Sequence, residues 1–574
     1  MVTWSDVLLW RAAHIETVQD DASAARKAAR EQVQELEAHY NRIASQGLAI
    51  DAMRQALSRV QDELDHAVNA ISAYMLACAE AIDGVRVVEA KVKSALEISE
   101  EIGCTIYDDG SVSIPYVDLS DAVRYGKAAV LQGKYSDLQM CIADALSVAR
   151  KVDEELRRKL QELAEDRFEQ NGPKEGRHSA SPGLPDDADE SWSPSEVSAW
   201  WGALTDAERQ ACIERDPLKY GNLDGIDMAS RDKANRMALY GYDTGGNASI
   251  RLGSTGLLQQ AQDKFDQAQA AYDDCVVAHG LFSDEAMALK AERDRAGRDL
   301  ADLQKIDERL RKGAGEDGKP LSLLALDTSG EQVKAAVAVG DVDHAQHVAN
   351  FTPGMGTNVR DSLDNYVDVA DRMCDNTVEQ ANIEPSDVAV VAWLNYDAPT
   401  DITKTWDTDV AGTEKARAGA DRLAGFLTGV RSWRDEQGGS LHLTSVSHSY
   451  GSTTAGFAMR QMGEGVVDDH IYLGSPGSAA YTVGALGVDP SHVWVSTVPE
   501  GDMVQGMGPD VTFGRNPEQL EGIQHLSGDA TGAQGYDPQP SSPVANHSSY
   551  FAPPKPGEEN EVLNDICRVL GGAK

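Results

Sequence analysis

The sequence predicts an α/β fold with a mostly parallel sheet, preceded by an α-helical hairpin or bundle domain. Two changes of pattern predict this class. Up to about residue 170 the apolar residues recur at helical spacing, and Pro115 is the only proline. From residue 321 onward, short apolar runs bounded by turn residues come between helical stretches, which is typical of a parallel sheet covered on both faces.

Composition divides the chain further, because 574 residues are too many for a single hydrophobic core. A stretch rich in Pro, Gly, Ser and acidic residues predicts a flexible linker. A second long helical pattern, interrupted by "GLFSDE", predicts an inserted helical hairpin. The predicted segments are a helical domain at 1–170, the linker at 171–192, helices with a loop at 193–255, the hairpin at 256–315 and the α/β domain at 316–574.

Two short motifs refine this division. The segment "CTIYDDGSVSIPYVDL" alternates β-formers around Asp109-Gly110 and predicts a small β-hairpin within the helical domain. The Gly-rich segment 241–253 lacks the lysine and the preceding strand of a phosphate-binding loop, so it is predicted to be a flexible surface loop.

The charge balance argues against one class of partner. The chain has 93 acidic and 52 basic residues, and its net charge of −41 repels phosphate backbones. Without a basic patch, no nucleic acid binding is expected. The seven cysteines are scattered and form no CxxC pair, and there is no HExxH motif, so the sequence predicts no disulfide framework, no metal and no cofactor.

The N-terminus predicts where the protein is found. The segment "MVTWSDVLLWRAAHIETVQDD" has neither the basic start nor the continuous apolar core of a signal peptide, and no run of about 18 apolar residues follows. We expect a cytoplasmic protein, or one that is exported without a cleavable signal peptide. The N-terminal helices carry no cluster of reactive groups, so we expect them to pack or to bind a protein partner. The oligomeric state is left open.

The segment Ser447-His448-Ser449-Tyr450-Gly451 is the strongest candidate for a reactive site. It ends a predicted strand and opens a predicted helix, the context in which a nucleophile is held on a sharp turn. Small residues two before and two after Ser449 allow the turn to close. The Tyr450 N–H then points toward a developing oxyanion. Glycine is usual at the first position, where this chain has Ser447.

A second oxyanion donor is expected from a loop that follows an earlier strand. The segment "ANFTPGMGTNV" supplies a Gly-rich turn in which Met355 lies between Gly354 and Gly356. Met355 is therefore predicted to present its backbone N–H to the oxyanion.

The acid of a Ser-His-Asp triad is expected after the nucleophile, on a loop that leaves a late strand. The segment "HVWVSTVPEGDMV" contains Asp502 at this place. Its carboxylate would hold the imidazole in the correct tautomer. Glu500 and Asp510 are alternatives.

The general base is expected near the C-terminus, and His547 in "SSPVANHSSYFAPP" is the leading candidate, with His525 as the alternative. His448 is not expected to be the base, because adjacent side chains at a sharp turn point in different directions. The resulting order, Ser449, Asp502 and His547, differs from the orders in chymotrypsin and subtilisin.

Several longer segments extend the pattern: "WWGALTDAERQACIERDPLKYGNLDGIDMASRDKANRMAL", "TPGMGT", "SHSYGSTTAG", "GSPG" and "HSSYF". In these the chain resembles the DUF1023-type α/β-hydrolases of actinobacteria, over about residues 196–552. The resemblance implies an α/β-hydrolase fold and a serine hydrolase of the esterase or lipase type. The first 170 residues are similar to WXG100-type helical hairpins found around type VII secretion, although none of Tyr107, Tyr116, Tyr125 and Tyr135 begins a Tyr-x-x-x-Asp/Glu signal.

These observations predict hydrolysis of a carboxylic ester, with an ester or lipid-like small molecule as substrate, through a Ser-His-Asp triad and an acyl-enzyme. Two alternatives remain open. The chain could be a non-catalytic interaction protein on a hydrolase scaffold. It could also be a toxin-like lipase exported by a type VII system, with the helical domain as adaptor.

Overall fold

The computed structural model describes residues 2–42, 48–113, 127–165, 187–189, 191–241, 255–315, 318–400 and 409–574. The predicted linker at 171–192 and the predicted loop at 241–253 lie almost entirely outside the described residues. The chain forms two compact units, of which the first contains residues 1–115 and 139–211 and the second contains residues 116–138 and 212–574. Residues 193–211 thus group with the first unit, whereas the sequence-based division joined them to 212–255.

The first unit is mainly helical. Its elements are α1 (Trp4–Val7), α2 (Ala12–Arg42), α3 (Leu48–Ile102), β1 (Thr105–Ile106), β2 (Val112–Ser113), most of α4 (Lys127–Ala164), α5 (Pro194–Ala203) and part of α6 (Asp206–Arg215). Strands β1 and β2 pair antiparallel on either side of the Asp109-Gly110 turn.

Tryptophans form part of the core of this unit. The side chains of Trp200 and Trp201 in α5 are fully buried, and the Trp192 ring lies 6.0 Å from that of Trp200 in an edge-on arrangement. The Ser195 N–H, in the first turn of α5, donates to Asp83 on α3 at 3.0 Å. This hydrogen bond joins α5 to the long helix, and the two tryptophans of α5 are buried in the core of the unit.

The second unit contains the sheet. Its elements are α7 (Pro217–Asn222), α8 (Met228–Tyr240), α9 (Leu257–His279), α10 (Asp284–Lys312), β3 (Leu321–Asp327), β4 (Lys334–Val339), β5 (His347–Thr352), α11 (Val359–Ala381), β6 (Val388–Leu394), α12 (Glu414–Glu436), β7 (His442–His448), α13 (Tyr450–Met459), β8 (Asp469–Leu473), β9 (Val493–Ser496), α14 (Asp510–Phe513), β10 (Gln524–His525) and α15 (Glu561–Leu570). Among the described residues of the chain, no helix is both long and apolar enough to cross a membrane.

In the described part of the chain, the sheet has eight strands in the order β10-β9-β8-β7-β5-β6-β4-β3. Strand β4 is antiparallel to both β3 and β6, and the other neighbouring strands are parallel. The predicted mostly parallel sheet is therefore confirmed. Because the carboxyl ends of β5, β7, β8 and β9 meet at one edge, the loops that follow them lie side by side there.

Burial explains why the sequences of these strands are apolar throughout. All seven residues of β6, Val388–Leu394, are buried, because helices cover both faces of a parallel sheet. On one face, Phe351 of β5 and Val446 of β7 share a core cluster with Leu363 of α11 and Ile566 of α15. Strand β10 was not predicted, since Gln524–His525 is two residues long and contains no apolar residue.

An ion pair between a partly exposed histidine and a buried aspartate lies near the amino ends of β7 and β8. His442 Nε2 lies 3.0 Å from Asp469 Oδ2, and Asp469 Oδ1 accepts hydrogen bonds from His492 and from Trp494. Burial by itself lowers the pKa of His442, but the contact with Asp469 outweighs it, so this pKa lies above its ordinary value. Protonated His442 therefore stabilises the folded state.

Replacing His442 with glutamine should lower the free energy of unfolding at pH 6 by about 1–3 kcal/mol, because the buried Asp469 carboxylate loses its charged partner. A pKa that is raised by folding gives stability that is complete below the unfolded value and lost as pH rises through the folded value. The difference between the two proteins should therefore shrink at alkaline pH. Urea unfolding followed by tryptophan fluorescence measures it.

His344→Gln is the matched control, because His344 lies 2.8 Å from Asp341 in an exposed pair. Exposed pairs contribute little, so this variant should unfold like the unmodified protein at both pH values. An equal loss in both variants, or a loss independent of pH, would contradict the assignment.

Candidate active site

Ser449 lies on a strained turn between β7 and α13. Its φ of +57° and ψ of −136° place it in a region that L-residues rarely occupy. Of the described non-glycine residues, only Asn382 and Ala479 share a positive φ. Strain of this kind persists when the surrounding structure holds it, and it projects the serine above the end of the strand.

The small residues on either side of Ser449 are explained by close backbone contacts. A Cβ on Gly451 would lie 2.3 Å from the Pro353 carbonyl oxygen, so no other residue fits there. Ser447 is fully buried, and its hydroxyl donates to the Ile471 carbonyl oxygen of β8 at 2.9 Å. Its one polar group is thus satisfied, which explains why serine is tolerated where glycine is usual.

The predicted oxyanion loop packs directly against Ser449. A Cβ on Gly354 would lie 2.8 Å from Ser449 Oγ and 3.0 Å from the Tyr450 nitrogen. Two hydrogen bonds to residues outside the loop fix it. The Tyr396 hydroxyl donates to the Pro353 carbonyl oxygen at 2.7 Å, and the Gly356 N–H donates to the Pro399 carbonyl oxygen at 2.8 Å. Met355 is therefore in a fixed turn beside the candidate nucleophile.

Asp502 and His547 form a buried pair. Asp502 follows β9, its side chain is fully buried, and its Oδ1 lies 2.8 Å from His547 Nδ1. A carboxylate accepts, so Nδ1 carries the proton and Nε2 is left as the acceptor. His547 Nε2 is itself buried and has no hydrogen-bond partner among the described residues. It is therefore available to accept a proton from a reacting group.

Gly474, which follows β8, gives this pair its space. Its φ is +51°, and a Cβ there would lie 2.6 Å from Asp502 Oδ2 and 2.9 Å from His547 Cε1. A larger residue would displace the carboxylate or the imidazole. The "GSPG" segment thus forms part of the wall of the site.

The alternative acids and the alternative base lie elsewhere. Glu500 accepts a hydrogen bond from Tyr536 at 2.8 Å, and Asp510 is the first residue of the short helix α14. His525 is an exposed residue of β10. Among the predicted candidates, the structure joins Asp502 to His547.

Two further residues at the site were not predicted. Tyr550 is fully buried and donates to Asp502 Oδ2. His448 donates from Nε2 to the His547 carbonyl oxygen at 2.7 Å, and burial lowers the pKa of His448 to about 3. His448 is therefore uncharged. It supports the backbone of His547, and it does not repel the His547 imidazole when that ring is protonated.

The Asp502 carboxylate is held in its charged form by its donors. Burial alone would raise the pKa of Asp502, but the hydrogen bonds from His547 and Tyr550 outweigh it, so the pKa lies below its ordinary value. The Val504 N–H also donates to Oδ1, at 3.1 Å. Each carboxylate oxygen is therefore satisfied despite its burial.

Tyr550→Phe should reduce kcat by about 10- to 100-fold with little change in KM, since a hydrogen bond to a charged group contributes about 1.5–3 kcal/mol. Without the Tyr550 hydroxyl the pKa of Asp502 should rise. The acidic limb of the profile of kcat/KM against pH should then move to higher pH. A purely structural role would not move that limb.

The control is Tyr536→Phe, which removes the hydrogen bond to Glu500 in the same loop. We expect it to change kcat by less than about threefold, because the hydroxyl that it removes is bonded to Glu500 and not to Asp502 or His547. Equal effects of the two substitutions would contradict the role of Tyr550.

A cavity of about 710 Å³ adjoins the oxyanion loop on the side of Tyr396. Ion pairs hold its walls, with Lys334 3.3 Å from Asp397 and Arg422 2.9 Å from Asp327. Tyr396 lines this cavity while its hydroxyl contacts Pro353. Among the described residues, no three His, Cys, Asp or Glu side chains are grouped as metal ligands.

Comparisons with known proteins identify the family. Residues 328–512 match a family model described as alpha/beta hydrolase. The chain is also 33% identical over 235 residues to the uncharacterized protein Rv0963c of Mycobacterium tuberculosis. The aligned region covers 40% of this chain and 83% of that relative. The chain belongs to the α/β-hydrolase family. The predicted family resemblance and fold class are thereby confirmed.

A second relative extends further along this α/β-hydrolase. The chain is 28% identical over 402 residues to the uncharacterized protein Rv2079 of Mycobacterium tuberculosis, over 66% of this chain and 55% of that protein. A protein of Mycobacterium bovis, uncharacterized protein Mb0988c, is 33% identical over 235 residues. The chain thus spans about half the length of the longer relatives that it matches.

Proposed function

We propose that the chain is a serine hydrolase that cleaves a carboxylic ester through an acyl-enzyme, with Ser449 as nucleophile. Family membership supports hydrolysis in general. The observation that carries the finer proposal is the buried pair of Asp502 and His547, whose Nε2 is left as an acceptor. The strained φ of Ser449 and the adjacent Gly354 supply the remaining geometry.

The reaction follows from these groups. Ser449 Oγ attacks the ester carbonyl carbon as its proton passes to His547 Nε2, and the carbonyl electrons move to the oxygen. His547 then gives the proton to the leaving alkoxide as the carbon–oxygen bond to the alcohol breaks. Water then attacks the acyl carbon as its proton passes to His547 Nε2. His547 returns this proton to Ser449 Oγ as the bond between the acyl carbon and Oγ breaks, which gives a carboxylic acid and free Ser449.

Asp502 and the two backbone donors lower the barrier in different ways. Asp502 fixes the tautomer of His547 and stabilises its imidazolium. The N–H groups of Tyr450 and Met355 stabilise the oxyanion, and each is expected to contribute about 3 kcal/mol to transition-state stabilisation. None of these contributions requires the substrate to be charged.

Turnover of p-nitrophenyl esters of increasing acyl length by the purified full-length chain tests the proposal. We expect hydrolysis that follows saturation kinetics, with a burst of p-nitrophenol if deacylation is slow. Absence of turnover for every ester, together with no labelling by a fluorophosphonate, would favour a non-catalytic role on a hydrolase scaffold.

A further inference from the structure

The large exposed apolar residues of the second unit come from few parts of the chain. Among its described residues, apart from Leu218, they come from the turn at 277–287 and from the two loop regions at 503–511 and 544. One group, Val277, Leu281, Phe282 and Met287, surrounds the turn between α9 and α10. The other, which we call the apolar rim, consists of Met503, Met507, Val511 and Val544. Soluble proteins usually expose such side chains singly, so clusters of them indicate contact surfaces.

Two residues of the apolar rim belong to the loops that carry the candidate acid and base. Met503 directly follows Asp502, and Val544 lies three residues before His547. The Met503 N–H donates to the Pro543 carbonyl oxygen at 2.9 Å, which joins the two loops. The rim therefore borders the loops that carry the acid and the base.

The backbone beneath the rim is well held. The Gly506 N–H donates to the Ser475 carbonyl oxygen at 2.7 Å, and the Gly508 N–H donates to that of Pro476 at 2.9 Å. Yet the Val511 side chain is 92% exposed and that of Met507 is 67% exposed. A loop fixed by backbone hydrogen bonds thus exposes apolar side chains to solvent. The methionines among them are unbranched and can adapt to an irregular apolar surface.

The charges around the rim restrict what can bind there. From residue 500 to 550 the sequence has seven carboxylates and a single Lys or Arg residue, Arg515. The whole chain has a net charge of −41. Such a surface repels anionic headgroups, and the exposed apolar side chains of the rim favour an uncharged or zwitterionic occupant.

We infer that the apolar rim docks the protein on the surface of aggregated, uncharged esters, so that an ester leaves the aggregate next to Ser449. This inference rests on the proposed esterase activity, because the rim serves the same site. It names the substrate class: an apolar ester presented at an interface, such as an emulsion droplet.

The first experiment compares two forms of ester with the full-length chain. Dissolved p-nitrophenyl butyrate reports on the site alone, and emulsified tributyrin requires docking. In Met507→Ser/Val511→Ser, the ratio of the rate on the emulsion to the rate on the dissolved ester should fall about 10- to 100-fold. This is the effect expected when two apolar side chains that docking would bury are lost. Val277→Ser/Phe282→Ser is the matched control and should leave the ratio unchanged. An unchanged ratio in the rim variant, or an equal fall in the control, would overturn the inference.

The second experiment measures docking without catalysis. Ser449→Ala protein should float with triolein droplets coated with phosphatidylcholine, and flotation should decrease when phosphatidylglycerol is added to the coat. Combining Ser449→Ala with Met507→Ser/Val511→Ser should abolish flotation. Failure to float, with Ser449 of the unmodified chain still labelled by a fluorophosphonate, would sink the docking surface alone. Loss of labelling and of all turnover, with flotation intact, would instead sink the proposed activity.

Discussion

Replacing Ser449 with alanine is expected to lower kcat/KM for p-nitrophenyl butyrate by about 10⁴- to 10⁶-fold, because the variant lacks the proposed nucleophile that forms the acyl-enzyme. A residual rate above that of water should persist, since the oxyanion donors and the binding surfaces are unchanged. Circular dichroism and urea unfolding of the variant should match those of the unmodified chain. Initial rates at saturating and limiting ester separate kcat from KM.

Ser447→Ala provides the matched comparison for that variant. It removes a serine hydroxyl two residues away, and the Ile471 carbonyl oxygen loses a donor. The cost should be about 1 kcal/mol of stability and less than about tenfold in kcat/KM. If Ser449→Ala retained more than a tenth of the activity, another nucleophile would be at work.

The second large effect is expected at Asp502. Asp502→Asn should reduce kcat by about 10³- to 10⁴-fold, because an amide that donates to Nδ1 favours the tautomer in which Nε2 carries the proton. The imidazole of His547 could then no longer accept the proton of Ser449. Stopped-flow and steady-state rates over a range of pH measure this loss.

Glu500→Gln is the corresponding control, because Glu500 lies two residues earlier and is hydrogen-bonded to Tyr536. We expect a change of less than about threefold in kcat. A large loss in Glu500→Gln with a small one in Asp502→Asn would exchange the two assignments.

Much of the fold was predictable because its strands carry strong local signals. A strand that is buried on both faces, such as Val388–Leu394, must be apolar throughout. The helical hairpin of α9 and α10 is similarly marked by its periodicity. Strand β10 has no such signal, because a two-residue edge pairing depends on its neighbour β9 rather than on its own composition.

The candidate site was predictable where chain order and turn chemistry restrict it. Small residues around Ser449 reflect backbone contacts, and Asp502 and His547 follow in the order that the fold requires. The supporting contacts were not predictable. Tyr550 and His448 act through bonds to Asp502 and to the His547 carbonyl oxygen, and only the tertiary structure brings these pairs together. The close approach of Gly474 to Asp502 is of the same kind.

The central claim is that Ser449 is a nucleophile activated by His547. The most direct measurement treats the full-length chain with a fluorophosphonate and locates the added mass by peptide mass spectrometry. We expect stoichiometric modification of Ser449, reduced strongly in His547→Gln and absent in Ser449→Ala. Modification of a different residue, or labelling of Ser449 that persists at the same rate in His547→Gln, would contradict it.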